Sequence, residues 1–84
     1  MAEVRNFIGV FRTKIDEGIY SFDIIVEYPS RLYSSLSGYC VANTRKDSYF
    51  ISISGGIMLS EEERDFLGKS FLKEAKLIDD ILRP

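Results

Sequence analysis

Eighty-four residues, 45% apolar and 29% charged, make one small globular domain spanning 1–84, with no room for a second core. A formal charge of −2, with acids and bases interspersed, weighs against a dedicated duplex-DNA binder, which carries a basic excess. The single cysteine, Cys40, excludes an intrachain disulfide or a Cys-based metal cluster, and the absence of histidine removes the commonest general base and metal ligand.

The N-terminal run MAEVRNFIGVF lacks the apolar segment of a signal peptide. No stretch approaches the roughly 18 apolar residues of a membrane span. A small chain without disulfides suits a reducing compartment, so a cytoplasmic protein without membrane contact is expected. Residues 4–15 alternate: Phe7, Gly9, Phe11, Thr13 and Ile15 fall on one face, and Ile8, Val10, Arg12 and Lys14 on the other. Asp16-Glu17-Gly18 follows as a turn whose glycine can take positive φ. Residues 19–28 form the clearest strand. Tyr20, Phe22, Ile24, Val26 and Tyr28 line its core face, and Ile19, Ser21, Asp23, Ile25 and Glu27 a mostly solvated one.

Pro29 ends that strand, because it cannot donate a ladder hydrogen bond. Residues 30–38, SRLYSSLSG, read as a short helical turn or connecting loop. Leu32 and Leu36 have helical spacing, whereas the serines and closing glycine favour a loop. Residues 39–44 and 49–54 are β-rich and are separated by Arg45-Lys46-Asp47-Ser48, which predicts a second, shorter hairpin. Gly55-Gly56 breaks the sheet. Ser60 with Glu63 three residues on is a capping box, and the acids at 61–63 suit the positive end of a helix dipole. The helix is expected from Glu61 to Leu82, with Pro84 beyond it.

The order ββ, connector, ββ, α predicts an α+β fold: a four-stranded antiparallel sheet of two β-hairpins, with one long C-terminal amphipathic helix packed on one face. On a helical wheel Leu67, Phe71, Ala75, Ile78 and Leu82 form one apolar stripe. Phe66, Ser70, Leu77 and Ile81 form its neighbour, with Glu63 and Glu74 between them. One sheet needs only about 100° of helix surface, so the second stripe calls for a partner. Either the helix sinks into a curled sheet, with Leu32 and Leu36 covering the rest, or Phe66, Leu77 and Ile81 anchor an interface with Glu74 beside them. Glu74, set among apolar neighbours, must pair, reach water or take up a proton.

Catalytic equipment is sparse. Asp23 and Glu27 lie about 13 Å apart by strand rise, too far to share a substrate, and the adjacent Asp79 and Asp80 point in different directions along a helix. The glutamates after Gly55-Gly56 would repel a phosphate. Cys40 reads as a small core residue. The expectation is therefore a non-catalytic protein–protein interaction module without cofactor or metal. It would be an adaptor, an inhibitor (of phage or mobile-element origin, for instance) or an assembly subunit, and it would act through the helix and self-associate as a homo-oligomer. The alternative is a single-stranded nucleic-acid binder that uses sheet aromatics with Lys14, Arg31, Arg45 and Lys46 as its basic contacts.

Overall fold

The computed structural model of the chain describes residues 6–27, 34–54 and 58–82, with backbone alone at 34–36. Strands β1 (Asn6–Asp16), β2 (Ile19–Glu27), β3 (Ser34–Asn43) and β4 (Ser48–Ile53) form a four-stranded antiparallel sheet in the order β1-β2-β3-β4. Helix α1 (Glu61–Leu82) follows and packs on one face of the sheet, chiefly over β3 and β4 and then β2. The predicted α+β fold and both hairpins are present. Tyr28, Pro29, Arg31 and Leu32 lie outside the described residues.

The turns carry their own fastenings. Gly18 takes the positive φ, 75°, expected of it. Its carbonyl accepts from both the amide (2.8 Å) and the hydroxyl (2.9 Å) of Thr44, which ties the first hairpin to the second. The Asn43 side-chain carbonyl accepts from the amides of Arg45 and Lys46, both at 3.1 Å, so the second turn is stabilised by an Asx-type bond. The capping box is reciprocal. The Glu63 amide donates to Ser60 Oγ and the Ser60 amide to Glu63 Oε1, each at 3.0 Å.

Two bulges change the face assignments predicted for β1. Phe11 pairs with Phe22, but Thr13 pairs with Ser21, leaving Arg12 as the extra residue. A second irregularity falls between Lys14 and Asp16. A one-residue slip exchanges the two faces of a strand. Thr13 therefore joins the face away from the helix, while Lys14, paired with Tyr20, comes to the helix side. The strict alternation expected through Ile15 holds only as far as Phe11. The connector reading also needs correction: residues 34–38 are the first half of β3, paired with Ile24–Glu27. The break in pattern there is a bulge, since Ile24 pairs with Gly38 and Ile25 with Leu36. The carbonyl of the extra residue, Ser37, is satisfied by the amide (2.8 Å) and hydroxyl (3.0 Å) of Ser54.

The core consists of Tyr20, Phe22, Ile24 and Val26 from β2, Cys40 and Ala42 from β3, Ile51 from β4, and Leu67, Phe71, Leu72 and Ala75 from α1. The packed face of the helix is rolled by roughly 30° from the predicted stripe, towards Gly68 and Leu72, at 100° per residue. Gly68 explains the roll. A Cβ there would lie 2.1 Å from the Tyr49 ring, so only a glycine lets that ring rest on the helix backbone. Ile78 is half-buried as a result, and Leu82, expected on the packed stripe, is exposed.

Candidate interaction surfaces

Rolling the helix towards Gly68 carries the second stripe to the side facing away from the sheet. Phe66 is 71% exposed, Leu77 51% and Ile81 79%. Glu74 is exposed beside them, so of the three fates open to it, it reaches water. Leu77 and Ile81 stand one turn apart. Phe66 lies about 16 Å from Leu77 along the axis. Ser70 between them turns its hydroxyl inward, donating to the Phe66 carbonyl at 2.9 Å. Two lysines flanking this face are engaged at close range. Lys69 pairs with Asp65 at 3.0 Å and Lys76 with Asp47 at 2.6 Å. Lys69 holds the Asp65 carboxyl below its ordinary value, and Asp65 in turn raises Lys69.

Lys14 and Arg45 come together, but on a shared acid: Lys14 Nζ lies 2.8 Å and Arg45 Nη2 3.8 Å from the Glu17 carboxylate. Lys46 is exposed in the second turn, and Arg31 falls outside the described residues. Lys14, Glu17 and Arg45 line a cleft of about 710 Å³ between the first hairpin and the end of α1, together with Tyr20, Lys76 and Asp79. The Tyr20 hydroxyl donates to the Asp79 carboxylate across it and fastens the last turns of the helix to β2. No part of the sequence pattern linked Tyr20 to Asp79; fifty-nine residues separate them.

The face of the sheet opposite α1 is more apolar than predicted. Ile8 pairs with Ile25, and Val41 with Phe50. Tyr39 and Phe50 approach with ring centroids 6.1 Å apart, and both are exposed. Asp23 divides this face and pairs with Arg12 at 3.8 Å. Tyr20 and Phe22 are buried beneath the helix, as the core row expected of β2, and Phe11 packs against both.

Cys40 is fully buried, as a small core residue should be. Burial pushes its thiol up to about 12 from an ordinary 9.0. Between those values the unfolded chain gives up a proton that the folded chain keeps. Stability is therefore unaffected below about pH 9 and falls above it, by at most about 1.4 kcal/mol per pH unit. Urea midpoints of the parent and Cys40→Ala should stay a constant distance apart up to about pH 9 and converge by about pH 11. Parallel midpoints across that range would show that the thiol titrates alike in both states.

Among the described residues no cluster of three or more His, Cys, Asp or Glu side chains could hold a metal ion, and no helix is long and apolar enough to cross a membrane. Compared with known proteins, the chain matches no family model, no curated protein sequence and no solved structure.

Proposed function

We propose that the chain is a small non-catalytic protein-interaction module, an adaptor, inhibitor or assembly subunit, that meets a second copy of itself through the outward face of α1. The exposure of Phe66, Leu77 and Ile81 on the side of the helix facing away from the sheet carries this reading. Large apolar side chains aligned on one face, next to paired charges, form the kind of surface that proteins cover. The lack of histidine supports the non-catalytic part.

Phe66→Asp and Ile81→Asp test it. Both side chains lie outside the core, so the circular dichroism and melting temperature should stay close to the parent's, within about 0.5 kcal/mol of stability. The mass in solution, measured by light scattering over a hundredfold range of concentration, should fall. Variants as heavy as the parent would remove the helix from the interface. Single-stranded nucleic-acid binding is the competing outcome. An oligonucleotide shift at low salt that fades steeply as salt rises would replace the interaction reading.

A further inference from the structure

The two edges of the sheet are not equivalent. On one side, β4 is six residues long, lies beneath α1, and has the carbonyl of Ile51 taken by the Arg64 guanidinium at 3.0 Å. On the other, β1 runs for 11 residues at the margin, and almost all of it is exposed on both faces. An edge strand presents backbone donors and acceptors to any chain that can pair with it, and proteins blunt such edges with charges and bulges. Here the blunting is confined to one half. The bulges and the charges Arg12, Lys14 and Asp16 fall in the second half, while residues 6–11 pair regularly with β2 and carry no charge.

We propose that residues 6–12 form an isologous edge-to-edge contact with the same segment of a second copy. The two strands would run antiparallel about a two-fold axis at Gly9, joining two four-stranded sheets into one. The segment is self-complementary in that register. On the helix side Phe7 of each copy meets Phe11 of the other, and on the opposite side Ile8 meets Val10. Arg12, the single charge in the paired stretch, meets Asn6. Moving the axis to Lys14 would set the two lysines against each other, and moving it to Thr13 would set Arg12 against Lys14; like charges directly opposite are destabilising.

The surrounding packing favours the same register. Phe11 rests on Phe22 (centroids 5.9 Å) and Phe22 on Phe71 (5.1 Å), so Phe11 is an exposed extension of the aromatic core. Val26 lies beside Phe7 on its own sheet, as Phe22 does beside Phe11. The contact therefore builds an unbroken apolar row, Val26–Phe7 of one copy running into Phe11–Phe22 of the other. Closed two-fold pairing also ends at a dimer, whereas β1 pairing with β4 would propagate without limit.

This contact is separate from the outward face of α1, and the two are tested separately. Ile8 and Val10 are 41% and 46% exposed, so substitutions there spare the core. Ile8→Lys with Val10→Lys places like charges opposite one another at both symmetric pairs. Its expected effect is at least about a hundredfold weaker edge association, read as a halved mass at concentrations where the parent is associated. Ile8→Glu with Val10→Lys removes the same apolar groups but sets opposite charges across the axis, and should keep the larger mass.

Circular dichroism of both variants checks that they are folded. Equal masses for the two double variants, a monomeric parent at millimolar concentration, or growth of Phe66→Asp into filaments would each overturn the edge contact. Phe66→Asp reports on the helix face alone: its mass can fall or hold without altering the comparison of the two β1 variants.

Discussion

Phe71→Ala should lower the melting temperature by about 12–40 °C, read from a thermal melt followed by circular dichroism. Phe71 is 7% exposed and its ring lies 5.1 Å from that of Phe22. The same ring reaches across to β1, where a Cβ on Gly9 would come within 2.2 Å of it. One side chain therefore joins α1 to both strands of the first hairpin. Truncating a buried Phe costs about 3–5 kcal/mol, because lost transfer energy adds to an unfilled cavity. A chain of this size has only about 4–13 kcal/mol in total. Each kcal/mol moves the midpoint of a small domain by about 4–8 °C. The comparison that decides the matter is Phe66→Ala, the same chemical change five positions earlier. Phe66 is 71% exposed, and its loss should stay within about 0.5 kcal/mol. Equal effects at 66 and 71 would mean that the helix is rolled differently on the sheet.

That contrast marks the boundary between what the sequence makes legible and what it conceals. Strand β2 announces itself because Tyr20, Phe22, Ile24 and Val26 alternate without interruption, and all four are buried. The start of α1 is equally plain, since Ser60 and Glu63 satisfy each other's amides locally. Both signals need only neighbouring residues. The first half of β3 is opaque for the opposite reason. Ser34 and Ser35 have little strand propensity of their own and are held by pairing with Glu27 and Val26 across the connector. The bulge at Arg12 leaves no compositional trace, yet it exchanges the faces of Thr13 and Lys14 and brings Lys14 into the cleft beside Tyr20.

The second helix stripe was visible as an excess of apolar positions, but its direction was not. An apolar-only wheel passes over Gly68, the residue whose missing side chain admits Tyr49 and turns the helix. A glycine in mid-helix was the available signal, since it weakens a helix by about 1 kcal/mol and so suggests a packing reason for being there.

Gly38→Ala should destabilise the fold by about 3 kcal/mol, although backbone entropy and packing pull in opposite directions here. Gly38 sits in a strand and, unlike Gly18, does not use the positive-φ region. On backbone grounds alone, alanine at such a position stabilises by about 0.4–1 kcal/mol, because the unfolded chain loses freedom. The Cβ, however, would lie 2.1 Å from the backbone oxygen of Ser52 and 2.9 Å from the Cα of Ile53. Neither is the end of a flexible side chain. Gly38 pairs with Ile24 on one side and Ile53 on the other, so β3 cannot move away from β4 without disturbing β2. The neighbouring bulge is itself held by Ser54 on the Ser37 carbonyl. Overpacking of this kind costs about 1–3 kcal/mol, occasionally more, and a clash with main chain on a central strand belongs at the upper end. That outweighs the entropic gain several-fold. The urea midpoint should drop, and amide exchange should quicken at Ser52–Ser54 before it does in α1. A midpoint at or above the parent's would mean that β4 yields at its C-terminal end, and that the entropy of the unfolded chain, rather than the sheet, governs this position.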